Sequence, residues 1–108
     1  MDKFWVIDTI CTVLPTSSVE QDGSDFYYNR AVVPATSKEE AIDHLTSNFN
    51  EDGISIKDIT NIATYEEGDW SNDIYNLDRA FERAKQGNRV CTATFISSDV
   101  YDFKYRDL

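Results

Sequence analysis

Residues 25–56 read DFYYNRAVVPATSKEEAIDHLTSNFNEDGISI, and within this stretch the hydrophobic period changes twice. DFYYNRAVV, residues 25–33, is dense in β-branched and aromatic residues, the composition of a strand. Pro34 ends it. Ser37 and Glu40 then stand at the capping-box spacing, in which each side chain satisfies the other's free backbone N–H, so a helix starts there. Ala41, Ile42, Leu45 and Phe49 follow at steps of one, three and four on one face, while Glu39, Glu40, Asp43, Thr46 and Ser47 point away. Asn50 to Gly53 closes the helix, Gly53 being free to take the left-handed conformation, and Ile54 and Ile56 open the next strand.

Outward from this unit, KFWVIDTICTVL, residues 3–14, reads as a first strand with apolar residues at both parities, so that both of its faces are at least partly covered. PTSSVEQDGS, residues 15–24, is a polar loop. The third strand runs through Ile59 to Tyr65, with a bend near Lys57 and Asp58 where the alternation breaks. A second helix from Asn72 or Asn76 carries Ile74, Leu77, Ala80, Phe81 and Ala84 on one stripe and stops at Gly87. RVCTATFI, residues 89–96, is a fourth strand, and in the tail Tyr101, Phe103 and Tyr105 alternate with Asp102, Lys104 and Arg106 as in a half-buried last strand. The order β-β-α-β-α-β, with that last β, predicts an α+β fold in two layers. Its four- or five-stranded sheet would carry both helices on one face, as a single domain over residues 1–108 without repeat or linker.

Twenty acids against ten bases give a formal net charge of -10, unevenly spread. Residues 15–75 hold thirteen acids against Arg30, Lys38 and Lys57, whereas residues 76–108 hold six bases against five acids. Such a field repels nucleic acid and anionic membranes and speeds encounter with a basic partner. The N-terminus has an acid beside its lysine, and Asp8 and Thr9 interrupt the apolar run, which fits neither a signal peptide nor a membrane span. Cys11 and Cys91 both fall inside apolar runs and read as buried free thiols, which places the protein in the cytoplasm.

Candidates for catalysis are few. His44 is the only histidine and sits at the margin of the first helix's stripe, so a metal site or a Ser-His-Asp relay lacks partners. The glycines stand singly in four turns, without a phosphate-cradling pattern. No catalytic residue, metal or cofactor is therefore expected. The conspicuous cluster is YEEGDWSND, residues 65–73, in which Glu66, Glu67, Asp69 and Asp73 surround Trp70. Neither it nor EQDGSD, residues 20–25, has calcium-loop spacing. A tryptophan ringed by acids suits an interface anchor facing Lys or Arg on a partner, or else an indole folded back to cap the core. Tyr27, Tyr28 and Tyr75 could extend such a surface, although Tyr27 and Tyr28 would point to opposite sheet faces.

In size, acidity and arrangement the chain resembles bacterial immunity proteins of contact-dependent growth inhibition and related toxin systems, on the span 25–56 and the acidic loop EEGDWSND. The resemblance implies a one-to-one complex with a toxic domain, often a basic nuclease, inhibited by occlusion rather than chemistry. The expected function is thus a non-catalytic binding protein that neutralises a basic partner through Glu66, Glu67, Asp69, Trp70 and Asp73. A phage-encoded nucleic-acid mimic would share its electrostatics. A small-molecule-binding or enzymatic domain would instead need a pocket near Trp5, Tyr28 or Phe95.

Overall fold

Strand β1 (Lys3–Val13) lies at the centre of the structure, paired antiparallel to β2 (Tyr27–Ala35) on one side and to β3 (Ile54–Thr64) on the other. The computed structural model describes residues 3–104. Helix α1 (Lys38–Glu51) joins β2 to β3, and α2 (Leu77–Gly87) leads to two short strands, β4 (Cys91–Thr92) and β5 (Ile96–Ser97), and a last helix, α3 (Ser98–Lys104). The sheet runs β3-β1-β2-β4, with β5 also pairing with β2, so the chain is an α+β protein on an antiparallel sheet.

The helix nominated by the capping spacing forms where expected. The Ser37 hydroxyl accepts the Glu40 N–H at 3.2 Å, while the Glu40 carboxylate accepts instead from the Thr36 hydroxyl at 2.7 Å. Ala41, Leu45 and Phe49 are buried, and Gly53 adopts a φ of +70°. Pro34, expected to end β2, lies inside it opposite Phe4. Its missing N–H is tolerated because β4 pairs with Ala31 and Val32 and β5 with Tyr27 and Tyr28, so that among the described residues β2 has no outer strand at Pro34.

The two helices do not share a face, which corrects the two-layer expectation. One core cluster joins Ile7 and Cys11 of β1 and Ala31, Val33 and Ala35 of β2 to Ala41, Leu45 and Phe49 of α1. The other joins Val6 and Val32 to Leu77, Ala80 and Ala84 of α2. Successive side chains on a strand point to opposite faces, so α1 covers the odd-numbered face of β1 and α2 the even-numbered one. The reason is the route of the chain. It leaves β3 at one edge of the sheet and must reach β4 at the other, and it crosses the face that α1 does not occupy. Cys11 and Cys91 are both buried free thiols, one in each cluster, and burial pushes the Cys11 thiol up.

Two irregularities in the pairing of β3 explain the broken alternation near Lys57. Ile54, Ile56, Ile59 and Ile62 oppose Val13, Cys11, Thr9 and Ile7, with register shifts between Asp8 and Thr9 and between Ile10 and Cys11. Each shift inserts one extra residue in β3, so steps of three still land on the α1 face.

The expected strand 89–96 is split. Ala93 to Phe95 leave the ladder between β4 and β5, and the Asn29 side chain replaces the missing pairing by donating to the Ala93 and Thr94 carbonyls at 2.9 and 3.4 Å. The tail is a helix over Ser98–Lys104, not a strand, because the Ser97 hydroxyl caps it by accepting the Val100 N–H at 3.2 Å. Tyr101 then packs on Tyr28 with ring centroids 4.8 Å apart, and Phe103 points into solvent. Tyr105 and Arg106 lie outside the described residues. Gly87 is the last helical residue of α2, and Asn88 takes the left-handed position that the glycine was expected to fill.

The loop 15–24 is tied down by Asp22. Hydrogen bonds from the Ser24 and Ser97 hydroxyls and the Ser24 backbone N–H hold its carboxyl at about 2, and the Tyr27 hydroxyl adds a weaker contact. A depressed folded-state pKa contributes stability above the unfolded value of about 4, and this is lost as pH falls toward about 2. Asp22→Ala should therefore lower stability at neutral pH, with the difference from the parent shrinking between about pH 4 and 2, as read by urea unfolding across that range. Separation of the cores has its own test. Ile54→Val should cost about 0.5–1.5 kcal/mol and Leu77→Ala about 2–5 kcal/mol, and the double variant should equal their sum within about 0.5 kcal/mol in urea unfolding.

Candidate functional site

The acidic stretch 65–73 leaves β3 and crosses the even-numbered face, where a charged pair already stands in the sheet. Asp8 of β1 and Arg30 of β2 are register partners, and the guanidinium donates to both carboxylate oxygens, Nε to Oδ1 at 2.7 Å and Nη2 to Oδ2 at 2.9 Å. Its third nitrogen, Nη1, donates to Asp73 Oδ1 at 3.1 Å. The same group lies 4.8 Å from the Trp70 ring centroid and 5.0 Å from that of Tyr75. With side chains of Arg30, Asp8 and Asp73 only 13%, 15% and 20% exposed, this is a half-enclosed cation held by two carboxylates and two aromatic rings.

Trp70 is thus turned inward. Its indole Nε1 donates to the Tyr65 carbonyl at 2.9 Å, its ring packs against the α2 cluster, and it is half-buried. Gly68 lies directly beneath the ring, where an added Cβ would sit 2.0 Å from Trp70 Cζ2. Asp73 is also committed within the chain: beyond Arg30, its carboxylate accepts the Tyr75 and Leu77 N–H groups at 3.1 and 2.8 Å. It thereby does the capping work at the start of α2, since Asn76, in a left-handed conformation, makes no side-chain cap bond. Burial, with the Asp8 charge adding to it, pushes the Tyr75 phenol up to about 12, so that it is neutral at physiological pH.

The remaining three acids face outward. Glu66, Glu67 and Asp69 are exposed, and among the described residues none of them forms a salt bridge. Their backbone is nonetheless fixed: the Glu67 and Gly68 N–H groups both donate to the Thr64 carbonyl at 3.1 Å, and the Thr64 hydroxyl donates to Glu67. Asp69 accepts the Ser71 N–H at 3.1 Å, and that bond, with one from the Ser71 hydroxyl, holds its carboxyl below the usual range. Tyr65, which begins the stretch, stacks on Phe81 of α2 at 3.7 Å and donates its hydroxyl to Asp78 at 2.9 Å.

Of the five residues nominated from sequence, the structure therefore divides two from three. Trp70 and Asp73 build the loop's underside, and Glu66, Glu67 and Asp69 form its outer surface. The tyrosines divide as well. Tyr27 is buried on the α1 side, while Tyr28 and Tyr75 lie on the even-numbered face near Arg30. Trp5 and Phe95 pack on the α1 cluster and Tyr28 faces the other way; of the three, Phe95 lines a cavity of about 420 Å³ together with Tyr27, Ile74 and Ile96. His44 is exposed on α1, 3.9 Å from Glu40. Sequence reasoning missed Arg30. The signal was a lone charge of each sign, Asp8 and Arg30, in the middle of two otherwise apolar strands.

No protein-family model matches the chain, and no curated protein or solved structure is significantly similar to it.

Replacing Gly68 by alanine should expel the indole from its seat. In a Trp5→Phe background, Gly68→Ala should shift the Trp70 emission to longer wavelength and lower stability by about 1–3 kcal/mol in urea unfolding.

Proposed function

We propose that this chain is a non-catalytic binding protein that neutralises a basic partner, a nuclease toxin, by covering its active site with the acidic loop. The observation that carries the reading is the pinned loop itself. Three exposed carboxylates, Glu66, Glu67 and Asp69, without a salt bridge among the described residues, are held on a backbone that Trp70, Asp73 and Arg30 anchor to the sheet. A surface ordered before it meets its partner loses little conformational freedom on binding, so more of its Coulomb attraction survives as affinity. In a nuclease active site the lysines and arginines that grip phosphate are the natural counterpart of such a row of acids. The net charge of -10 adds long-range attraction that raises the rate of encounter.

Within this reading the roles differ. Glu66, Glu67 and Asp69 meet the partner, whereas Trp70 and Asp73 position them. Inhibition needs no reaction at the carboxylates, only exclusion of the substrate.

Surface-immobilised kinetics against a basic nuclease domain recovered with this chain in a low-salt pull-down test the proposal. Association should slow by about tenfold or more between low and physiological salt, since steering by exposed charge is screened over about 10 Å. The double variant Glu66→Lys, Asp69→Lys should slow association further and leave little salt dependence. Association indifferent to both salt and charge reversal would overturn the proposal.

A further inference from the structure

The outer surface of the loop is one lip of a cavity of about 450 Å³. Phe4, Tyr65 and Phe81 supply aromatic walls, and the exposed Lys3, Glu66 and Glu67 complete the lining on the solvent side. The walls are set by packing: Phe4 meets Phe81 edge-on at 5.4 Å, and Tyr65 stacks on Phe81. Phe81 already attracts a cation, the Lys85 ammonium lying 5.7 Å from its ring centroid.

The protein contains its own precedent for what such a place accepts. Around Arg30, two aromatic rings and two carboxylates enclose a guanidinium. The cavity brings together the same two kinds of group, aromatic rings and a pair of carboxylates, in an open position on the surface. We infer that it receives an arginine side chain of the basic partner, its guanidinium against the aromatic walls and its N–H groups on Glu66 and Glu67. Arginine suits the site better than lysine. Its planar, weakly hydrated head can lie along a ring while bonding a carboxylate in a fork, whereas an ammonium keeps its water and bonds as a point charge. The inference rests on the basic-partner reading and names the contact through which the loop would discriminate.

The cavity can be blocked without touching an acid. Lys3→Trp fills the mouth and also removes a positive charge, so attraction alone would make a cation bind more tightly to this variant, while a filled cavity would make it bind less. Backbone-amide NMR titrations of the full chain with N-acetyl-arginine-methylamide read the difference. The lysine analogue and the uncharged citrulline analogue serve as controls.

The expected result is a set of shifts confined to residues 3–4, 64–67 and 81, strongest for arginine, absent for citrulline and weakened at least about fivefold by Lys3→Trp. Glu66→Gln, which keeps the shape, should weaken arginine binding in the same way. Shifts spread evenly over the acidic surface, equal binding of lysine or citrulline, or undiminished binding to Lys3→Trp would overturn the inference. Kinetics against the nuclease domain separate it from the reading beneath. If Lys3→Trp binds the nuclease like the parent while Glu66→Lys, Asp69→Lys does not, the cavity is dismissed and the acidic docking loop stands. If neither variant changes binding, both are overturned.

Discussion

One guanidinium holds the even-numbered face together. Arg30 links β2 to β1 through Asp8 and to the β3–α2 connection through Asp73, and it supports two rings from that connection, Trp70 and Tyr75. A charge this enclosed is tolerable only when fully paired, and removing one member of such a group typically costs about 3–5 kcal/mol because the others are left uncompensated. Set against a total stability of about 5–15 kcal/mol for an ordinary domain, that is a large share resting on one side chain. The long connection from one sheet edge to the other needs such a fastening. Its chain is polar and bears acids that repel one another, and it has only the three rings of Tyr65, Trp70 and Tyr75 packed against the α2 cluster before the helix begins.

The same arrangement decides which acids stay exposed on the surface. Arg30, one of the few bases in the acidic two-thirds of the chain, is consumed internally together with Asp8 and Asp73. One guanidinium between two carboxylates leaves that trio with a net negative charge, so it does not offset the acids of Glu66, Glu67 and Asp69. Helix α2 contributes on the far side of the loop by giving Tyr65 a ring to stack on and a carboxylate, Asp78, to bond. The exposed acidic surface is thus a by-product of solving a folding problem, and the residues that solve it lie beneath Glu66, Glu67 and Asp69.

Much of this was legible in the sequence wherever a local rule governed. The capping spacing at Ser37 and Glu40, the stripe of Ala41, Leu45 and Phe49, and the left-handed Gly53 all behave as short-range chemistry requires. The apolar residues at both parities of β1 already announced that both faces are covered, and placing the helices on one face set that signal aside. The tail misled because alternation at Tyr101 and Phe103 competes with a serine cap at Ser97, and over seven residues the cap wins. The split of the fourth strand could not be read locally at all, since it depends on an asparagine more than sixty residues away in β2. The acidic loop was legible as a cluster but not in its orientation. Whether Trp70 faces in or out depends on a cation contributed by a distant strand, and Gly68 shows its purpose only once the indole is seen lying over it.

The two extra residues in β3 have an effect beyond restoring its isoleucines to the core. β3 is eleven residues long and, among the described residues, an outermost strand of the sheet that pairs only with β1. A straight strand of that length would be a template for another chain to hydrogen-bond along. The irregularities break the even spacing of its donors and acceptors and twist the margin, and the charged side chains of Lys57 and Asp58 are exposed beside them. The sheet is therefore guarded against growing by accretion of a neighbour's strand, and what its margin offers to the surroundings is side chains rather than backbone.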